Sequence, residues 1–160
     1  WSFENRFLFK SMTSAFRIKL REILREEMGG TYGVWVGGYP EKDPKGTYQS
    51  IVAFGCGPEN VEPMVAEVFK QIDILKSEGI DQSYLDKVIE ADKVEYEKNI
   101  QENKYWLEVI SAYDQYEEPF RQIVDRDHLY ELVTNENIKG SAQKYFNLDN
   151  VLKAYLYPEK

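Results

Sequence analysis

The chain has 160 residues, 42% of them hydrophobic and 30% charged, a composition suited to one folded domain with its own core. Its formal net charge is −8, from 28 acidic against 20 basic side chains, which argues against nucleic acid and anionic membranes as partners because both need a basic footprint. The lone Cys56 allows no intrachain disulfide, and no apolar run approaches the length of a membrane span.

Residues 3–28 read as a single amphipathic helix. Leu8, Met12, Ala15, Phe16, Leu20, Ile23 and Leu24 recur at three- and four-residue spacing, Ser2 can cap the start, and Gly29-Gly30 can stop the last turn. From residue 31 to 39 the period changes to that of a strand, Tyr32, Val34 and Val36 alternating with Gly33, Trp35 and Gly37. The turn formers of Pro40–Gly46 lead to a second strand over 47–55, which predicts an antiparallel hairpin with a longish loop. A helix with the stripe Val61, Met64, Val65, Val68, Phe69, Ile72, Leu75 runs to Gly79, with Pro58 suited to its first turn. A third helix starts after Asp81, breaks or bends near Asn103 and resumes through Trp106, Ile110 and Tyr113 until Pro119 interrupts it. A fourth helix is expected over 120–133 and a fifth from 134 or 135 to about 146. A closing strand is expected over 151–157, stopped by Pro158. The order predicts an α+β domain over residues 1–160, with helices on one face of a mainly antiparallel sheet. The chain opens on Trp1 with no charged-then-apolar leader, so it reads as a segment of a longer polypeptide that lacks at least one leading strand.

Few residues carry chemistry. A catalytic zinc needs three protein ligands and one open position. The chain has a single histidine, His128, in Asp125-Arg-Asp-His-Leu-Tyr-Glu131, where Asp125 and Glu131 share its helical face in the expected helix. That trio would hold a metal weakly at most, and a mixed-charge surface helix explains it as well. Cys56 and His128 alone define no nucleophilic triad. Gly55 and Gly57 precede a helix but lack any phosphate-loop pattern, so they read as turn formers. Twelve tyrosines and three tryptophans lack interleaved basic residues, which favours core packing over a base-stacking surface. One constellation remains. Arg25 falls in the last helical turn and Tyr32 at the first strand position, with Gly29-Gly30 reversing the chain between them. A guanidinium can clamp carbonyl or carboxylate oxygens, and a phenol can donate to developing negative charge on a carbonyl. A local account is equally available: Arg25 suits a negative helix terminus and Tyr32 is a common strand residue.

The segment Leu20-Arg-Glu-Ile-Leu-Arg-Glu-Glu-Met-Gly-Gly-Thr-Tyr32 resembles a signature of the insulinase/pitrilysin (M16) peptidase family, which includes mitochondrial processing peptidase and the core proteins of the bc1 complex. Phe54-Gly-Cys-Gly-Pro-Glu-Asn-Val61, Leu75-Lys-Ser-Glu-Gly79, the helix start at 81–88 and Glu102-Asn-Lys-Tyr-Trp-Leu107 follow in the family's order. Members resemble clamshells. An N-terminal half carries zinc on His-x-x-Glu-His with a distal glutamate, and a similarly folded C-terminal half lacks zinc and closes over the substrate. No His-x-x-Glu-His occurs here, so the resemblance is to the second half. It implies that Arg25 binds substrate backbone oxygens and that Tyr32 assists the scissile carbonyl. It also implies that zinc resides in a partner half, on the same chain or another subunit, and that the segment alone cleaves no peptide. The alternative is a non-catalytic assembly domain like the bc1 core proteins, which would need neither side chain. An exported location such as a bacterial periplasm suits relatives of this kind, although no residue here reports on it.

Overall fold

The apolar stripe of the first helix and its stop at Gly29 are realised, but its last turn is wound differently. In the computed structural model, which describes residues 1–157, α1 spans Phe3–Arg21 and gives way to a π-helical turn over Glu22–Glu27. Ser2 caps α1 by accepting from the Asn5 N–H at 3.1 Å. The hairpin follows as expected: β1 (Thr31–Glu41) pairs antiparallel with β2 (Thr47–Cys56). A short 3-10 turn at Pro58–Asn60 opens α2 (Val61–Ser77), and α3 (Gln82–Asn99) begins on Asp81, whose carboxylate accepts from the Ser83 N–H.

The break near Asn103 is real and separates α3 from α4 (Asn103–Gln115). The fourth expected helix does not form as one element. Residues 120–133 split into a 3-10 turn at Phe120–Ile123 and the short α5 (Asp127–Glu131). Ile123, Leu129 and Val133 are buried, so the segment follows the core surface and not a helical stripe. The last helix, α6, covers Asn135–Tyr145 behind a Thr134 cap. Residues 151–157 have strand composition but pair with nothing among the described residues, where the sheet is β1-β2 alone. Leu152 and Leu156 are accordingly exposed; the stop at Pro158 lies outside the described residues.

Helix α1 is the hub of the α+β arrangement, packing against β1, α3 and α6. Phe7, Met12, Phe16 and Leu20 meet Met64, Val68, Ile72 and Leu75 of α2, Leu85 and Val88 of α3, Ile138 and Ala142 of α6, and Val36 of β1 in one core. The hairpin thus has helices on one face. The tyrosines and tryptophans do not fill that core: of these only Tyr113 is buried, while Tyr32, Trp35, Tyr39 and Tyr48 are exposed. Enough aliphatic and phenylalanine volume is present that the amphipathic rings take its rim, where Tyr84, Tyr130 and Tyr145 pack half-buried against the core. No helix among the described residues is long and apolar enough to cross a membrane.

Candidate functional site

The corner between α1 and β1 is built by two irregularities that sequence periodicity does not show. The first is the π turn. The Met28 N–H donates to Ile23 O at 3.0 Å, a five-residue step, and the Gly30 N–H donates to Leu24 O at 3.2 Å. An added residue in the last turn changes which side chains face the core. Leu24 stays fully buried, while Arg25, Glu26, Glu27 and Met28 are exposed. Gly29 then takes φ +62°, the left-handed conformation that ends a helix and costs a side-chain-bearing residue energy.

The second is a bulge at the start of β1. Thr31 pairs with Cys56 and Val34 with Phe54, so three steps on β1 match two on β2. Strict alternation would put Tyr32 on the inner face with Val34 and Val36. The added residue instead keeps Thr31, Val34 and Val36 inward and turns Tyr32 out; Val36 is 4% exposed and Tyr32 is 99% exposed. The Thr31 hydroxyl stabilises the bulge, donating to Gly55 O at 2.7 Å and accepting from the Gly33 N–H at 3.2 Å.

Neighbours hold the corner from two sides. Met64 of α2 packs beneath Gly30. From α3, the Tyr84 phenol donates to Glu22 Oε2 at 2.5 Å and Lys87 Nζ stands 3.6 Å from Glu22 Oε1. The Glu22 hydrogen bond, with burial and the same negative charge, pushes the Tyr84 phenol up to about 12. Arg25 and Tyr32 therefore flank a braced corner at the end of the hairpin where Thr31 meets Cys56, and among the described residues neither side chain has a hydrogen-bond or ion-pair partner.

The histidine reading fails on geometry. Asp125 precedes α5 and pairs with Arg121 at 3.5 Å, so it does not share a helical face with His128 and Glu131. Among the described residues no three histidine, cysteine or carboxylate side chains gather as a metal site, and the residues present do not fit a catalytic zinc. Sequence reasoning missed the cluster around Asp92 altogether. This carboxylate, mid-helix in α3, accepts from Lys10 Nζ at 2.9 Å, Arg126 Nη2 at 2.8 Å and Tyr130 Oη at 3.3 Å. The signal available was an acidic residue four positions after the apolar Val88, on the buried stripe of α3.

The family described as the peptidase M16 inactive domain matches residues 2–91. The probable zinc protease PqqL of Haemophilus influenzae is 27% identical over 169 residues, an alignment covering 98% of this chain and 17% of that protein. Among solved structures, the periplasmic protease PqqL from Escherichia coli superposes with a TM-score of 0.74 at 18% identity, over 91% of this chain and 16% of that one. A mutant of the ferredoxin protease FusC in complex with Arabidopsis ferredoxin superposes with a TM-score of 0.65 at 22% identity, over 92% of this chain and 16% of that one. The two superpositions show a shared fold, and the chain spans only 16–17% of the length of these relatives.

Proposed function

The chain belongs to the peptidase M16 inactive-domain family, and on that premise we propose that it is part of the substrate-side, zinc-free half of a peptide-hydrolysing zinc enzyme. In this reading the zinc and the His-x-x-Glu-His motif lie in an N-terminal half, on the same polypeptide or on a partner subunit. The present residues bind and orient an extended peptide. Arg25 donates to its backbone oxygens, and Tyr32 donates from its hydroxyl to the scissile carbonyl as negative charge develops there. The zinc, bound elsewhere, supplies Lewis-acid polarisation and an activated water. Export to a compartment such as the periplasm is part of the same proposal, supported by the description of the E. coli relative as periplasmic.

The observation that carries the reading is the exposure of Tyr32 on a bulge that a regular strand would not contain. A structural tyrosine at this position would point inward by default. The bulge leaves the ring free while the surrounding backbone is hydrogen-bonded and braced.

The test is Tyr32→Phe in the full-length polypeptide, assayed by steady-state kinetics on a defined peptide, with Tm and zinc content recorded. Deleting one oxyanion donor lowers kcat by about 10²–10³. The ring is retained and the hydroxyl has no hydrogen-bond partner among the described residues, so Tm and zinc content should not move. An unchanged kcat/KM in a folded, zinc-loaded variant would remove Tyr32 from the mechanism, whereas absence of cleavage by the wild-type full-length polypeptide would favour the assembly-domain alternative.

A further inference from the structure

The outer face of the hairpin carries chemistry that the candidate site leaves unused. Val34, Val36, Val52 and Phe54 pack toward the helices. The intervening residues, Trp35, Gly37 and Tyr39 on β1 with their partners Ala53, Ile51 and Gln49 on β2, face the other way. None of these six belongs to the hydrophobic core, and Trp35 and Tyr39 are 40% and 57% exposed.

Gly37 shapes this face. The six-membered ring of Trp35 lies across it, so that a Cβ at Gly37 would stand 2.7 Å from Trp35 Cζ2 and 3.0 Å from Cη2. The indole is therefore laid along the strand toward Tyr39. It forms a shelf with Ile51 beside it and the small Ala53 opposite. Arg6 and Lys10, which border the cleft next to Trp35, are paired with Glu118 and Asp92. Uncovered aromatic surface with small residues around it is a feature of binding sites more than of inert surface.

The shelf lies on the same strand as Tyr32 of the candidate site. The bulge turns Tyr32 to the outer side, and Trp35 and Tyr39 follow on the same strand. At about 3.3 Å per strand residue, Trp35 lies roughly 7–10 Å along from Tyr32, the span of two or three residues of an extended peptide. We propose that Trp35, seated over Gly37 and flanked by Ile51 and Tyr39, is a specificity subsite for an aromatic or large aliphatic residue of that peptide. The residue it takes lies two or three positions from the point where Tyr32 makes contact. The net charge of −8 favours a neutral or basic surrounding sequence over an acidic one. The inference rests on the function proposed above and specifies its substrate.

The experiment compares wild type, Trp35→Ala, Gly37→Val and Tyr32→Phe in the full-length polypeptide. Two peptide series differ only in having Phe or Ser at each position within three residues of the cleavage point. Activity is read as kcat/KM, peptide binding by fluorescence anisotropy, and folding by Tm. Wild type should prefer Phe over Ser at one such position by about 10–100-fold. Trp35→Ala should abolish the preference, bringing kcat/KM on the Phe peptide down to that on the Ser peptide. Gly37→Val, which displaces the ring without removing it, should weaken the preference in the same direction. Loss of turnover in Tyr32→Phe together with an unaltered preference in Trp35→Ala would overturn the subsite and leave the function standing. A Trp35-dependent preference in binding with full turnover in Tyr32→Phe would remove Tyr32 from the mechanism and leave the subsite standing. A large fall of Tm in Trp35→Ala with an unaltered preference would make the shelf a packing surface for the rest of the polypeptide and overturn the inference.

Discussion

Around Asp92, an arginine and its tyrosines are committed to the protein itself; at the α1–β1 corner, an arginine and a tyrosine are not. The Asp92 carboxylate is bonded by Arg126, Lys10 and Tyr130, and the Arg126 guanidinium lies 4.7 Å over the Tyr96 ring and 5.7 Å over Phe7. Burial alone would lower the Lys10 pKa, but the hydrogen bond and charge of Asp92 outweigh it and hold the ammonium above its ordinary value. This cluster ties α1 and α3 to the turn before α5. At the corner, bracing acts on the backbone and on Glu22, and the functional groups of Arg25 and Tyr32 are left without partners among the described residues. The residue types are the same in both places. What differs is whether the fold satisfies them, and that decides whether they stabilise this chain or are available to another molecule.

The largest expected effect comes from breaking the satisfied cluster. Asp92→Ala leaves Arg126 buried without its carboxylate and should destabilise the fold by about 3–5 kcal/mol. The unfolding transition of this domain, followed within the full-length polypeptide, should fall by roughly 10 °C, while turnover per folded molecule stays at the wild-type level. Asp92→Asn, which keeps the shape and one acceptor, should cost less. A turnover defect exceeding the loss of folded protein would show that the two regions are coupled and erase the contrast between them.

Arg25→Ala tests the other side. It removes a side chain without hydrogen-bond or ion-pair partners among the described residues, so Tm should move little. Loss of a charge-assisted contact to substrate oxygens should lower kcat/KM by about 10–100-fold, mainly through KM. Arg25→Lys should recover part of the loss, since an ammonium keeps the charge without the planar fork. A fall in Tm with unchanged KM would return Arg25 to the local role of completing a helix terminus.

These two regions were legible in the sequence to very different degrees. The hairpin, the long helices and the break at Asn103 follow from periodicity and turn formers, because one-sided burial imposes a period that a single sequence displays. The corner was located by Arg25, Gly29-Gly30 and Tyr32, yet its geometry was hidden. Neither a π turn nor a bulge changes composition, and strict alternation assigns Tyr32 to the same face as Val36, the wrong one. The Asp92 cluster was invisible because its members are 82 and 34 residues apart in the chain. The 120–133 segment misled for a related reason: its apolar residues serve contacts at irregular spacing. Residues 151–157 have strand composition, but a strand exists only with a partner to share its hydrogen bonds.

A smaller effect should follow from the corner's backbone. Gly29 sits at φ +62° with nothing within 4 Å of where a Cβ would stand, so Gly29→Ala meets conformational strain and no clash. The expected cost is about 1–2 kcal/mol, less for Gly29→Asn, whose side chain tolerates this region better. If the turn positions Arg25, KM should rise by more than the stability loss accounts for. Equal Tm values for Ala and Gly would mean that the turn relaxes to another conformation without penalty.

The smallest effect isolates the brace. Tyr84→Phe deletes the hydrogen bond to Glu22 while Lys87 stays 3.6 Å from the same carboxylate, so the cost near neutrality should be about 1 kcal/mol. Its pH dependence has a defined sign. The Glu22 bond favours the protonated phenol, raising it from an ordinary 10.0 to about 12 in the folded chain. The contribution is therefore complete below about pH 10 and is lost as pH rises toward 12. Tyr113, which burial first and then the Glu118 charge also push up to about 12, titrates in the same window. For that reason the informative quantity is the stability difference between wild type and Tyr84→Phe, in which the Tyr113 contribution cancels. Denaturant unfolding between pH 7 and 11 should show that difference flat at first and shrinking above pH 10. A difference that stays constant through pH 11 would mean that Tyr84 contributes only its ring, and that Lys87 alone holds Glu22. The turn carrying Arg25 would then be braced by one contact from α3 instead of two, and KM for peptide should be the same in Tyr84→Phe as in wild type.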